Sequence, residues 1–126
     1  MAGTEFLQGR FGIEIEMTGI TRNKAANTVA KYLRGTVDKL YDSYDTHRIT
    51  TEDGRVWTIV SDISILPQKK VNGENVSADK TYSVELISPI LTYNEDIETL
   101  QEIVRNLRNA GAFSERQNRT GVHYLK

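Results

Sequence analysis

The sequence predicts an α+β domain: a mainly antiparallel β-sheet with two helices packed on one face. Three observations predict it. Arg10 to Thr18 alternates apolar and polar residues with the period of a half-buried strand. Arg22 to Arg34 and Asn94 to Gly111 instead repeat their apolar residues at helical spacing. Between these helices lie strand-like segments joined by tight-turn signals, which favours hairpins over crossovers.

Taken in order, the first strand places Phe11, Ile13, Ile15 and Met17 on one face and Gly12, Glu14, Glu16 and Thr18 on the other. The first helix carries the stripe Ala25, Ala26, Val29, Ala30 and Leu33, with Thr21 as its N-cap and Gly35 as its stop. Val37 to Leu66 reads as strands and a hairpin. Asp53-Gly54 marks the turn between His47–Thr51 and Arg55–Ser61. With no bulge, Trp57, Ile59, Ile63 and Ile65 share a parity and are expected in the core. Thr58, Val60, Asp62 and Ser64 then share the opposite face. His47 has no partner in the sequence and reads as a surface residue.

Gln68 to Lys80 is polar and contains Asn72-Gly73, so 68–80 is expected as a flexible loop or a loose hairpin tip. Tyr82 to Ser88 is a further strand, with Val84 and Leu86 facing one way. The second helix repeats Ile97, Leu100, Ile103, Val104 and Leu107. Asn94 is expected to cap it, with Glu95 and Asp96 in the positive first turn and Arg105 and Arg108 near the negative end. A short strand over Gly121 to Leu125 completes the order.

At 126 residues the chain is expected to be a single domain, 1–126. A chain of this size buries about two-thirds of its unfolded surface, so its core needs no disulfide or structural metal. The apolar fraction of 38% and the mean hydropathy of −0.47 describe a soluble globule. Sixteen basic and seventeen acidic residues leave a net charge of −1, which argues against nucleic-acid binding through a basic field. The chain has no cysteine, which excludes disulfides, thiolate zinc sites and cysteine nucleophiles. No apolar run approaches the roughly 18 residues of a membrane span, and no signal-peptide pattern opens the chain. The expectation is therefore a cytoplasmic protein with no membrane partner. No P-loop, dinucleotide glycine motif or G-x-S-x-G is present.

The chemistry-bearing residues are acidic. Glu14 and Glu16 lie two apart on one strand face, roughly 6.5–7 Å from each other. Like charges at that spacing raise each other's pKa unless a cation sits between them. A hard divalent ion such as Mg²⁺ takes such oxygen ligands and completes its shell with water and phosphate. The same alternation also describes an ordinary solvated strand face. Asp62 and Ser64, again two apart, suit either an amine or hydroxyl ligand or a plain strand-end turn. Glu85 sits within the apolar run Val84-Glu85-Leu86-Ile87 and points either into a polar cleft or to bulk water. His123 follows Gly121 in the last strand-like segment. A lone histidine there reads as structural or exposed more readily than as catalytic.

Four motifs fall in one order: Phe11-Gly12-Ile13-Glu14-Ile15-Glu16, Trp57 to Ile65, Val84 to Leu91 with its Glu-Leu-Ile-Ser-Pro core, and Thr120-Gly121-Val122-His123. Together they resemble the amidoligase family, relatives of glutamine synthetase and glutamate–cysteine ligase, from Arg10 to about His123. The resemblance implies a curved, mainly antiparallel sheet whose concave face holds nucleotide and metal. It implies an ATP-dependent enzyme joining a carboxylate to an amine, with small-molecule or peptide substrates and with Mg²⁺ and ATP as cofactors. By resemblance Glu14, Glu16 and Glu85 are the metal and nucleotide ligands, Asp62 and Ser64 line the substrate side, and His123 is the first histidine of the late motif. Mg²⁺ would neutralise the phosphates and an acyl-phosphate intermediate, while a carboxylate accepts the proton of the attacking amine.

Two departures from the family pattern bear on activity. The late motif should read Gly-x-His-x-His, but residue 125 is leucine. The family's enzymes also continue into a second portion of sheet. The chain is therefore expected to be the N-terminal part of an amidoligase. The alternative is a non-catalytic binding module that keeps the scaffold. An open sheet edge near the last strand would invite self-association.

Overall fold

Strand β1 (Arg10–Met17) has neighbours on both sides. It pairs antiparallel with β7 (Val84–Ile87) over Glu14 to Met17, with the short β8 (Leu91–Thr92) at Arg10 and Phe11, and with β9 (Gly121–Leu125) over Gly12 to Glu16. Beyond β7 the sheet continues through β4 (Val56–Val60), β3 (His47–Thr50) and β2 (Thr36–Lys39). All of these pairings are antiparallel, and the sheet has seven strands. A separate hairpin joins β5 (Gln68–Val71) to β6 (Glu74–Ser77). Helix α1 (Arg22–Leu33) follows β1, and α2 (Tyr93–Asn109) follows β8. The computed structural model describes residues 9–114 and the backbone of 121–125.

The alternation in β1 decides which face the helices cover. Ile13, Ile15 and Met17 are buried with Ile49, Trp57, Ile59, Val84 and Leu86 of the neighbouring strands. Ala25, Ala26 and Val29 of α1 and Leu100, Ile103 and Leu107 of α2 join the same core. The small residues of α1 let its backbone approach β3 and β4. Each large side chain buried here contributes about 1.5–3 kcal/mol. Among the described residues no helix is long and apolar enough to cross a membrane.

Four local expectations need correction. Strand β4 ends at Val60, and Ile63 is fully exposed rather than in the core, although Ile65 is buried. The cause is a turn: Ile65 N–H donates to Asp62 O (3.1 Å), and the period-two count lapses there. His47 is 1% exposed, not a surface residue. It stands opposite Ile59 on the core face, and its Nδ1–H donates to the Asp45 carbonyl at 2.9 Å.

The stop of α1 is not the one expected. The left-handed residue is Arg34 (φ 55°), not Gly35. Gly35 has a different reason to lack a side chain, since a Cβ there would lie 2.8 Å from Ile49 Cγ2 and 2.9 Å from Thr50 O. Nor does Asn94 cap α2. Thr92 holds the cap position, and the Asp96 carboxylate reaches back to accept its N–H at 2.8 Å. Of the two expectations for 68–80, the hairpin is the one that forms. Asn72 (φ 52°) and Gly73 (φ 81°) both take the left-handed region, as a two-residue turn of this kind requires.

Candidate metal centre

The face of the sheet away from the helices gathers the acidic residues. The β1–β7 register sets Glu16 directly opposite Glu85, and the β4–β7 register sets Val60 opposite Glu85 on the other side. Two residues after Val60 the turn brings in Asp62. Glu16, Asp62 and Glu85 each offer a carboxylate oxygen, and these atoms lie within 4.8 Å of one another. All three residues are half-buried.

Pairing across strands explains why this trio forms rather than the Glu14–Glu16 pair of the sequence. Neighbours along one face of a strand are roughly 6.5–7 Å apart. Residues directly opposite on an antiparallel ladder have Cβ atoms only about 4.5–5.5 Å apart. Glu14 lies outside the group of three and is instead hydrogen-bonded to Glu85.

That hydrogen bond has an electrostatic condition. Two carboxylates share one only if one of them carries a proton, and Glu85 is placed to carry it. Partial burial pushes its pKa up to about 7, and the hydrogen bond with Glu14 and the charges of Glu14, Asp62 and Glu16 push in the same direction.

Asp62 is oriented by Ser64. The Ser64 N–H (2.9 Å) and hydroxyl (2.7 Å) both donate to Asp62 Oδ1, closing a local turn. Ser64 thus acts on Asp62 in this structure. His123 takes the register position opposite Glu14, and its side chain lies outside the described residues.

The donor set suits a hard divalent cation. Mg²⁺ binds oxygens at 2.0–2.1 Å, so its ligands are about 3 Å apart when adjacent and about 4 Å apart when opposite. Three carboxylates with oxygens inside 4.8 Å need only small side-chain movements to reach that geometry. A cation there would also offset the charge that raises Glu85.

The resemblance gives Asp62 to the substrate side, and in the structure its carboxylate lies with those of Glu16 and Glu85. The available signal was its shared parity with Thr58 and Val60. The strand pairing that makes the parity useful lies outside local sequence. No curated protein and no solved structure matches the chain. A family model described as "Putative amidoligase enzyme" matches residues 7–124, from before β1 into β9. The acidic sheet face therefore lies in a chain that belongs to the amidoligase family.

Proposed function

We propose that the protein serves an ATP- and Mg²⁺-dependent carboxylate–amine ligase reaction, with Glu16, Asp62 and Glu85 as the cation ligands. The observation that carries this reading is the convergence of those three carboxylates on one sheet face in a member of the amidoligase family. The reaction joins an acid and an amine into an amide while ATP becomes ADP and phosphate. Small-molecule or peptide acids and amines are the substrate class.

When bound, the cation supplies charge neutralisation for ATP phosphates that would otherwise be repelled by this face. The chain's own residues do the rest. Glu16 and Glu85, on adjacent strands, fix two ligand positions through the β1–β7 ladder. Asp62 closes the third side, with Ser64 holding its Oδ1. Glu14, hydrogen-bonded to Glu85 beside the trio, is the residue to which this reading gives the proton lost by the amine.

The test is an NMR titration with Mg-ATP on the wild type and on Glu16→Gln. Shifts gathered on β1, β7 and the 62–65 turn, and lost in Glu16→Gln, are expected. Shifts elsewhere, or unchanged by the substitution, would overturn the assignment. Leu125, where the family pattern has its second histidine, favours one other reading: a binding module that keeps the site. That reading predicts Mg-ATP binding without ADP release in the presence of acids and amines.

A further inference from the structure

We infer that Ser83 is a positioning residue for this cation site, holding Asp62 at its place beside Glu85. The inference rests on the metal reading above. Glu16 and Glu85 are fixed by ladder hydrogen bonds, but Asp62 lies beyond the last residue of β4 and has no ladder to hold it. One hydroxyl ties it to the neighbouring strand. Ser83 Oγ donates to the Asp62 carbonyl at 2.6 Å and accepts the Asp62 N–H at 2.9 Å. Both main-chain polar groups of Asp62 thus bond to a side chain 21 residues away, and the carbonyl also accepts the Ile65 N–H of its own turn at 3.1 Å.

The location of Ser83 gives this staple its consequence. Ser83 directly precedes β7 and lies two residues before Glu85, so the hydroxyl ties one ligand to the strand that carries another. Ser83 is 5% exposed, and water competes little for its bonds. Its own backbone is held in turn. Arg22, itself buried, donates from one guanidinium nitrogen to Ser83 O and to Lys80 O, both at 2.7 Å. Arg22 Nε is paired with Asp45 at 3.0 Å, which fixes the plane of the fork. Ser83 N–H donates to Lys80 O at 3.1 Å. Ser64 orients the Asp62 carboxylate, and Ser83 fixes the backbone from which that carboxylate extends.

Alanine at 83 leaves the N–H and C=O of Asp62 without these partners, and threonine keeps the hydroxyl. The experiment measures Mn²⁺ binding, as a stand-in for Mg²⁺, by electron paramagnetic resonance on the folded chain. Ser83→Ala is expected to weaken Mn²⁺ on the order of 10- to 100-fold, the usual effect of removing a group that orients a ligand. Ser83→Thr is expected to stay within about threefold of wild type, in keeping with a retained hydroxyl. Ile103→Val lowers stability from the helix side and is expected to leave Mn²⁺ affinity unchanged. That control separates positioning from general destabilisation. Ser83→Cys, close in size with a weaker donor, covers failure of the alanine variant to fold, and is expected to show an intermediate loss.

Folded Ser83→Ala or Ser83→Cys protein that binds Mn²⁺ as tightly as wild type overturns the inference while leaving the metal reading intact. Wild-type protein that fails to bind, or whose binding survives Glu16→Gln and Glu85→Gln, overturns the metal reading and the inference with it.

Discussion

Glu16 of β1 and Glu85 of β7 stand directly opposite each other in an antiparallel ladder. Like charges in that relationship destabilise a sheet. Here Asp62 adds a third carboxylate and Glu14 a fourth nearby. The arrangement is costly to the empty fold and favourable to a bound cation, and two predictions follow from that contrast.

Stability without metal should fall as pH rises across the range of Glu85. Its folded pKa of about 7 is above the ordinary 4.5, so the folded state holds this proton more tightly than the unfolded state. The associated stability is fully present below pH 4.5, declines as pH rises to about 7 and is gone above it. For a half-exposed group the loss should amount to about 1–2 kcal/mol after allowance for solvent screening. Glu85→Gln keeps the volume and removes the titration. Urea unfolding in EDTA at pH 5 and pH 8 should show a smaller difference between the two pH values in the variant. An equal difference in both proteins would mean that Glu85 does not carry the effect.

Cation binding should reverse that loss and release a proton. Below pH 7 the cation must displace the proton held by Glu85. Calorimetric titration with Mg²⁺ at pH 6.5 in buffers of different ionisation enthalpy should report release of up to about one proton. At a hundredfold excess over Kd, unfolding at pH 8 should become harder by about 2.7 kcal/mol. Glu16→Gln should abolish most of that gain.

The turn after β4 predicts opposite fates for two neighbouring isoleucines. Ile63 is fully exposed, and Ile63→Ser should change stability by less than about 0.5 kcal/mol. Ile65 is buried, and Ile65→Ala should cost about 2–4 kcal/mol. Denaturant midpoints of the two variants decide it. A strand running through both residues would make the two losses similar.

The end of α1 separates two reasons for a glycine. Arg34 occupies the left-handed region, so Arg34→Gly should stabilise the protein by about 0.5–1 kcal/mol. Gly35→Ala should destabilise it by about 1–3 kcal/mol, because the new Cβ would press on Ile49 and the Thr50 carbonyl. Thermal midpoints moving in opposite directions would bear this out, and a gain in both would refute it.

Local sequence was sufficient wherever the deciding physics is local. Period-two alternation set the buried face of β1, the apolar stripes set α1 and α2, and Asp53-Gly54 set the β3–β4 turn. Glu14, Glu16, Asp62 and Glu85 were all candidates from their residue type and parity. The resemblance groups Glu14, Glu16 and Glu85; tertiary structure decided that Asp62 joins Glu16 and Glu85 and that Glu14 lies outside the three. The register of β7 against β1 puts Glu85 beside Glu16, and a turn that ends β4 puts Asp62 with them and Ile63 in water. It also buried His47, gave Gly35 its reason and brought Ser83 to Asp62. A side chain's direction repeats along its own strand or helix and can be counted from sequence. Its neighbour comes from a segment tens of residues away, and only the pairing of those segments specifies which one it is.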